Sequence, residues 1–311
     1  MNFFEKWGRR GVEHNRVRDL LTRVMEPLIG FMNCQLRYCL CCSIFHCLRN
    51  ADVRKRIAVR EGKPVSKSQA LRIGCCGFAG SQKDYADHFS VVEVQQTFYE
   101  PPRLSTLQRW RTEAPPGFEF TMKAWQLITH ESTSPTYRRL HTSLTNEQRM
   151  CLGSFKPTED VWKAWVRTRE VAAALNARVI VFQCPASFEP SEKNKSNIRK
   201  FFIAAHEDVA RLGHEIHFGW EPRGEWQKND IIPLCHELNL IHVVDPFRHE
   251  PVTTADFYFR LHGTANYQHR YTDEELVHLK ELVHARESGY CMFNNISMKE
   301  DALRFVEQMR Y

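Results

Sequence analysis

The sequence lacks the features that mark secreted and membrane-spanning proteins. Its first 27 residues are charged and contain no continuous apolar run, so a secretory signal peptide is not expected. Residues 28–48 form the only membrane candidate in the chain. Four polar residues interrupt this stretch and argue against a spanning helix: Asn33, Gln35, Arg37 and His46. No membrane partner is therefore expected.

The sequence also has no Gly-x-Gly-x-x-Gly motif and no Walker motif, so a nucleotide cofactor gains no support. The net charge of +6 does not describe the whole chain, because residues 1–70 carry +8 and the remainder carries −2. A basic surface for nucleic acid is thus not a property of residues 71–311, although a local basic pocket there is compatible with these counts.

Five of the eleven cysteines lie in residues 1–70, where Cys34, Cys39, Cys41, Cys42, His46 and Cys47 fall close together. Their spacing matches neither paired zinc knuckles nor the ferredoxin pattern, although zinc or an iron–sulfur cluster is one alternative. The other alternative is a poorly ordered or weakly helical extension, or a start upstream of the true one. We expect the domain boundary near Ala70.

The other six cysteines are scattered and mostly fall on strand-like segments. This usage is typical of reduced cytoplasmic thiols and not of a disulfide framework. We therefore expect a cytoplasmic protein.

Eight short apolar runs end in polar residues, and most are separated by stretches with helical periodicity. The alternation predicts an α/β fold, a (β/α)8 TIM-type barrel whose chemistry lies at the strand ends. The runs span residues 71–78, 91–99, 118–124, 178–184, 215–221, 240–246, 257–263 and 290–295.

Polar and apolar residues alternate within these runs. Glu93, Gln95 and Thr97 share one face of the second run, and the third, fifth and seventh runs repeat the pattern. Because helices cover the outside of such a barrel, the polar faces should point inward. Either they form a functional site, or they form buried ion pairs that only fix the fold, with Glu221 and Arg223 as the first candidate pair.

Helix signals fill the segments between the runs. Thr158 should begin a helix that reaches Asn176, and a helix over residues 191–212 should end at Gly213. Thr272 and Ser297 each precede a glutamate by three residues, which predicts two capping boxes.

The longest connection, residues 125–157, follows the third run. Connections of this length are often lids or substrate clamps, in which Arg138 and Arg139 would grip an anion. A solvated excursion without a functional role is the alternative.

The candidate site residues lie at the ends of the predicted strands. Lys123 is a general base, a Schiff-base amine or an anion anchor, unless it forms a salt bridge with Glu93. Loops after the seventh and eighth strands often hold phosphate in these barrels, so Arg260, His262 and Asn294 are the predicted anion seat. Further substrate-binding candidates are Glu93, Gln95, Tyr99, His130, Gln183 and Arg223.

Glu221 and Asp245 are candidates for a general acid and base, together with Lys123 and His262. Glu221, Asp245 and His262 are alternatively the ligands of a divalent metal. Cys75 and Cys76 have no adjacent activating base that the sequence reveals.

Several motifs resemble the family called domain of unknown function 72, or YecE-like, over residues 71–311. The resemblance implies a (β/α)8 barrel and a cytoplasmic protein, but no established reaction. Gln95-Gln96 and Cys75-Cys76 look like the archaeal branch of that family. The motifs are RIGCCGF (72–78), VEVQQTFY (92–99), FEFTMKA (118–124), Thr129-His130, VFQCP (181–185), WEPR (220–223) with Trp226, YFRLHG (258–263) and FNN (293–295).

Three functional hypotheses follow. The first is a hydrolase or lyase acting on a phosphorylated or otherwise anionic substrate, either a small molecule or a nucleic-acid phosphodiester. The second is a binding protein that uses the same pocket without turnover. The third is a nucleic-acid-associated protein that depends on the basic residues 1–70. The sequence does not indicate an oligomeric state.

Overall fold

The structure is a computed structural model that describes residues 71–253, 256–264, 266–286 and 288–310. Eight parallel strands close into a barrel in sequence order, β1 to β8, with β8 paired to β1. The predicted TIM-type barrel is therefore confirmed. The strands are β1 (Arg72–Cys75), β2 (Val91–Val94), β3 (Glu119–Lys123), β4 (Val179–Gln183), β5 (His217–Glu221), β6 (Leu240–Val244), β7 (Asp256–Leu261) and β8 (Ser288–Phe293).

Helices surround the barrel. They are α1 (Gln82–His88), α2 (Gln96–Tyr99), α3 (Leu104–Glu113), α4 (Gln126–Thr129), α5 (Asn146–Cys151), α6 (Glu159–Leu175), α7 (Glu192–Leu212), α8 (Lys228–Glu237), α9 (Asp273–His284) and α10 (Met298–Gln308). Residues 245–253, the described part of the connection from β6 to β7, contain no helix. Within the described residues, no helix combines the length and apolarity needed to cross a bilayer.

The longest helices form because their ends are capped and one face of each is apolar. Thr158 caps α6 through the Val161 N–H, and Asn176 ends it with a left-handed backbone (φ 50°). Gly213 ends α7 in the same way. The apolar faces cover β4 and β5, where Phe182 packs on Phe202 with their ring centroids 4.9 Å apart. These contacts hold the outward face of the sheet against the helices.

An apolar cluster fills the inside of the barrel beneath the polar residues of its C-terminal end. Because these side chains are buried, the polar residues above them rest on a packed base and not on a water-filled channel. Its members are Cys76, Val91, Val179, Val181, Ile241, Val243, Tyr258 and Met292.

Two local predictions are wrong. The second strand ends at Val94, and residues 96–99 turn into α2, so Thr97 is not on the strand face of Glu93. The Thr97 hydroxyl instead donates to the Lys123 carbonyl at 2.7 Å, which ties α2 to β3. The Ser297 side chain does not cap α10, because Ser297 has φ −97° and ψ 28° instead of the extended conformation that a capping side chain needs. The Thr272 capping box is confirmed.

The long connection from β3 to α6 contains α4, α5 and a 3₁₀ turn (Pro135–Arg139). Its return segment packs on α4, since Gly153 N–H donates to Leu127 O at 2.9 Å and Phe155 N–H donates to Ile128 O at 2.9 Å. The six cysteines of the described barrel are free thiols. The predictions for residues 1–70, including the cysteine tract and the boundary near Ala70, lie outside the described residues.

Candidate functional site at the C-terminal end of the barrel

Arg260 connects polar side chains from several strands inside the barrel. Its guanidinium is 1% exposed and donates to carboxylates on two other strands. Nη2 lies 2.9 Å from Glu93 Oε1, and Nη1 lies 2.7 Å from Glu221 Oε2. Nη1 also donates to Gln183 Oε1 at 3.2 Å. Because protein carboxylates already surround this guanidinium, the geometry does not favour Arg260 itself as the predicted anion seat.

Glu93 is fully buried and ionised. The Tyr258 hydroxyl donates to Glu93 Oε2 at 2.8 Å, and the Gln95 amide donates to Glu93 Oε1. Burial disfavours the carboxylate, but the charges of Arg260 and Lys123 outweigh it and lower the pKa of Glu93. Glu93 and Gln95, both predicted to bind substrate, therefore face the protein's own groups.

Glu221 lies between two arginines at the end of β5. Its Oε1 accepts hydrogen bonds from Arg223 Nε and Nη2, at 3.1 and 2.8 Å, so the predicted Glu221–Arg223 pair is confirmed. Burial opposes ionisation, yet Arg260 and then Arg223 hold the pKa of Glu221 well below its usual range. The Arg223 side chain is 40% exposed, so it extends from this pair toward the mouth of the barrel.

His262 is bracketed by the two predicted acid–base carboxylates. Its Nε2 lies 3.9 Å from Glu221 Oε1, and its Nδ1 lies 3.7 Å from Asp245 Oδ2. Two guanidinium nitrogens, of Arg223 and Arg260, lie 3.3 Å from the same Nε2. Since guanidinium groups only donate, the arrangement favours Nε2 of His262 as a hydrogen-bond acceptor.

Asp245 holds the loops that follow β6 and β7. Its Oδ1 accepts the Phe247 N–H at 3.1 Å, and its Oδ2 accepts the His262 N–H at 3.0 Å. Both oxygens are thus engaged by backbone groups, which suits a positioning role for Asp245.

Lys123 ends β3 and is 5% exposed. Its Nζ lies 3.9 Å from the centre of the Phe98 ring, and it makes no ion pair with any carboxylate of the described residues. The alternative salt bridge to Glu93 is therefore not formed. Burial and then the charge of Arg260 lower the pKa of Lys123 to about 7, partly offset by Glu221 and Glu93.

His130 also contributes to the site, from the residue that follows α4. Its Nδ1 lies 2.8 Å from the Thr129 hydroxyl, and its ring packs edge-on against Phe98. Burial, and then the charge of Lys123, lower the pKa of His130 to about 3. The imidazole is neutral at physiological pH, so His130 can bind a substrate without adding charge.

Two predicted binding residues lie at the edge of this constellation. The Tyr99 carbonyl accepts the Gln126 side-chain amide at 3.0 Å, and its ring stacks 3.5 Å from the Arg139 guanidinium. The Asn294 N–H donates to Leu261 O at 2.9 Å, which joins the ends of β7 and β8.

Sequence reasoning missed Phe98 and gave Tyr258 no role in the site. Tyr258 follows from the strand alternation, because it shares the inward face of β7 with Arg260. The contact of Phe98 with Lys123 could not be predicted, because a second strand that continues through residue 98 gives no reason to place the Phe98 ring on Lys123. The sequence shows no signal that would reveal this turn.

A divalent metal does not fit the ligands predicted for it. Glu221 and Asp245 face opposite nitrogens of His262, and guanidinium groups take both Glu221 oxygens. No group of three His, Cys, Asp or Glu residues within the described part of the chain is placed to hold a metal ion. We derive no chemistry through a metal at these three residues.

The opposite end of the barrel also contains polar residues. Arg72 Nη2 lies 2.9 Å from Glu119 Oε1, and the Tyr290 hydroxyl donates to Glu119 Oε2 at 2.9 Å. A cavity of about 470 Å³ lies at this end, lined mainly by backbone turns and apolar side chains such as Phe89 and Phe118. Residues at the N-terminal end of such barrels serve stability, so we place the candidate site at the C-terminal end.

A family model described as "Protein of unknown function DUF72" matches residues 80–311. The chain belongs to this family. The family resemblance in the sequence is thus confirmed, while its archaeal branch stays a prediction. A comparison with curated proteins found no match.

Solved structures of the DUF72 family share this barrel. A DUF72 family protein from Enterococcus faecalis is 19% identical, with a TM-score of 0.59, covering 78% of this chain and 96% of that one. A DUF72 family protein from Thermotoga maritima is 19% identical, with a TM-score of 0.55, covering 78% and 100%. A 3-keto-D-glucoside 4-epimerase from E. coli is 10% identical, with a TM-score of 0.51, covering 78% and 99%. At these identities the likeness concerns the fold alone.

Proposed function

We propose that this DUF72 barrel is an enzyme, a hydrolase or a lyase, acting on a small anionic or phosphorylated substrate at the C-terminal end of the barrel. Lys123 is the proton-transfer group and Arg223 is the anion anchor. One observation carries the proposal: a buried lysine amine that no described carboxylate neutralises, although Glu93 and Glu221 both lie inside the same barrel.

Arg223 suits the role of anchor because its side chain is held in a fixed orientation and is also accessible to solvent. Nε and Nη2 are fixed by Glu221 Oε1, which holds the guanidinium plane in place while 40% of the side chain stays exposed. A pre-oriented guanidinium can bind a carboxylate or phosphate with little further loss of conformational freedom.

The charge balance favours an anion as well. Arg223, Arg248, Arg260 and protonated Lys123 supply four positive charges, whereas Glu93, Glu221 and Asp245 supply three negative charges. The cationic excess lies toward the mouth, because the Arg260–Glu93 pair is the most deeply buried part of the cluster. An anionic substrate would neutralise this excess.

Lys123 is the group best suited to transfer protons. A pKa of about 7 lets the amine gain and lose a proton near neutral pH. Glu221 stays ionised, because two arginines hold its pKa well below the usual range. Glu221, Asp245 and His262 therefore act as positioning residues in this proposal.

Between the two reaction classes, we favour a lyase. Hydrolysis needs a base that activates water; burial raises the pKa of Glu93 and Glu221, but arginine charges outweigh it and hold both pKa values low, so these carboxylates are weak bases. The Lys123 amine is the better base, and it can abstract a proton next to a carboxylate or carbonyl of the substrate.

Thermal-shift measurements on the full chain test anion binding. We expect inorganic phosphate, 3-phosphoglycerate or citrate at millimolar concentration to raise the melting temperature by a few degrees, as ligands of the native state do. Arg223→Gln should abolish this shift, whereas Arg109→Gln, which changes an exposed arginine on α3, should retain it. If no anion stabilises the chain, or if both variants respond alike, the anchor is not Arg223.

Incubation with a stabilising compound then separates an enzyme from a binding protein. Mass spectrometry should detect conversion by the wild type and none by Lys123→Met. A tight ligand that wild-type protein leaves unchanged would favour the binding alternative. The nucleic-acid alternative depends on residues 1–70, and no contact among the described residues favours it.

A further inference from the structure

We infer that Lys123 is a carbonyl-reactive lysine that forms a Schiff base with an aldehyde or ketone substrate bearing a carboxylate or phosphate. This inference rests on the proposed anion site and narrows its substrate to anionic carbonyl compounds such as 2-oxo acids and phosphorylated sugars. It also selects the lyase branch of the proposal, because an iminium ion assists cleavage of a neighbouring C–C or C–H bond.

The surroundings of the Lys123 amine are those of a nucleophile. Nζ lies above the face of Phe98, and the residue is nearly buried. An aromatic face stabilises an ammonium less than a carboxylate does, so it does not lock the amine in its charged form. Glu93 and Glu221 do not hold the amine in that form, because Arg260 donates to both Glu93 oxygens and to Glu221 Oε2, and Arg223 donates to Glu221 Oε1.

The fold keeps this arrangement in place. Parallel pairing of β2 with β3 sets Glu93 beside Thr121, so Lys123 lies two residues further toward the mouth. Two residues of a strand span roughly 6.6 Å, which separates the backbone positions of Lys123 and Glu93 along the strand direction. The Thr97 hydroxyl binds the Lys123 carbonyl and thereby fixes α2, with Phe98, against the end of β3.

The protonation equilibrium of Lys123 is consistent with a nucleophilic amine. With its pKa at about 7, about half of the amine is neutral at neutral pH. A solvent-exposed lysine with a pKa near 10.4 is less than about 0.1% neutral at the same pH. The difference gives Lys123 roughly a thousandfold advantage in nucleophilic amine.

The chemistry balances without a further reactant. The neutral Nζ attacks the carbonyl carbon, a C–N bond forms, and the carbonyl π electrons move to oxygen. The carbinolamine then loses that oxygen as water, so an ammonium and a carbonyl together give an iminium ion and one water molecule. The electron pair of the breaking C–C or C–H bond moves toward the iminium nitrogen and gives an enamine, while the other fragment leaves as carbon dioxide, a carbonyl compound or a proton. The enamine carbon then takes a proton from water, and hydrolysis of the resulting iminium ion returns the Lys123 amine and releases the product.

The cysteine near the same mouth is a poorer nucleophile. The Cys76 thiol is nearly buried, with Sγ 3.7 Å from Arg260 Nη2. Burial and then the charge of Glu93 raise the pKa of Cys76 well above its usual value, so the thiol stays protonated. Lys123 is therefore the nucleophile that this site offers.

Reductive trapping with paired probes tests the inference. Wild-type protein at pH 7 is mixed with glyoxylate or with its uncharged counterpart glycolaldehyde, reduced with borohydride and mapped by peptide mass spectrometry. A second pair is glyceraldehyde 3-phosphate and glyceraldehyde. We expect the anionic probes to label Lys123 at least about tenfold more than Lys163, a lysine on α6 that is 65% exposed. The uncharged probes should also prefer Lys123, because its amine is partly neutral at pH 7, but by a smaller ratio than the anionic probes.

Two variants complete the test. Lys123→Arg, checked for folding by circular dichroism, should lower the adduct stoichiometry by one equivalent. Arg223→Gln should reduce the advantage of the anionic probes over the uncharged ones. If anions raise the melting temperature but no probe labels Lys123 above Lys163, the Schiff base is overturned while the proposed anion site stands. If anions neither stabilise the protein nor direct labelling, both fall.

Discussion

Arg260 and Glu93 form a buried ion pair across the inside of the barrel, with Nη2 2.9 Å from Oε1. They lie on β7 and β2, which are not neighbours in the sheet, so the pair joins two separate parts of the wall. The Tyr258 hydroxyl and the Gln95 amide complete the coordination of Glu93. Because Glu93 is bound to Arg260, its carboxylate does not pair with Lys123. Because Arg260 is bound to Glu93, its guanidinium does not compete for an incoming anion.

Removal of one member of this pair should destabilise the barrel strongly. Arg260→Met leaves the Glu93 and Glu221 carboxylates buried without their main partner, which typically costs about 3–5 kcal/mol. Urea denaturation at pH 7 measures the change in the free energy of unfolding. Arg199→Met, which removes a partly exposed pair with Glu237 on the surface, should cost less than about 1 kcal/mol. Equal losses in the two variants would contradict the importance of the buried pair.

The pKa of Lys123 should produce a pH dependence of stability. The folded pKa is about 7, whereas the unfolded chain holds the proton up to about pH 10.4. Between these values the unfolded state binds more protons, so the free energy of unfolding rises with pH. From pH 7 to pH 9, wild type should gain about 2 kcal/mol relative to Lys123→Met, as measured by urea denaturation. Parallel curves for the two proteins would mean that Lys123 ionises normally.

The strand positions and the inward polar faces could be predicted because both follow from local alternation of residue types. The Glu221–Arg223 pair could also be predicted, because the two residues lie two apart in the sequence. The pairings between strands could not. Adjacent strands allow the alternative salt bridge from Lys123 to Glu93, but the register places Thr121 beside Glu93 instead. Arg260 takes Glu93 from across the barrel, at a separation of 167 residues, and no local pattern encodes that contact.

The division of roles among the candidate residues likewise needed the three-dimensional arrangement. The sequence favours Arg260 as the anion site and pairs Arg223 with Glu221, because each arginine lies near a strand end beside other polar residues. Burial distinguishes them: Arg260 is 1% exposed and Arg223 is 40% exposed. The sequence does not show where β2 ends, because residues 95–99 fit a strand pattern. The helical turn is instead held by the Thr97 hydroxyl, which has a local hydrogen bond to Val94 O and a tertiary one to Lys123 O.

His130 should remain neutral in mildly acidic solution. Its folded pKa is about 3, below the unfolded value of about 6.5, because burial and then the charge of Lys123 disfavour the imidazolium. Side-chain NMR of histidine-labelled protein should therefore show a neutral His130 at pH 5. In Lys123→Met the midpoint should move upward, yet stay below the usual value of a histidine, since burial is the larger cause. A titration of His130 near pH 6.5 in the wild type would contradict its burial beside Lys123.

Gly224 should control the position of Arg223. It has φ +83°, and a Cβ atom there would lie 2.3 Å from the Ala186 carbonyl oxygen, so Gly224→Ala must displace the backbone next to Arg223. We expect a loss of about 2 kcal/mol or more in urea denaturation and a loss of the anion-induced thermal shift. Gly117→Ala is the matched control, because Gly117 has φ +80° but no atom within 4 Å of the added Cβ. That control should lose only about 1 kcal/mol and keep the response to anions. A Gly224→Ala protein that still responds to phosphate like wild type would show that anion binding does not depend on this loop.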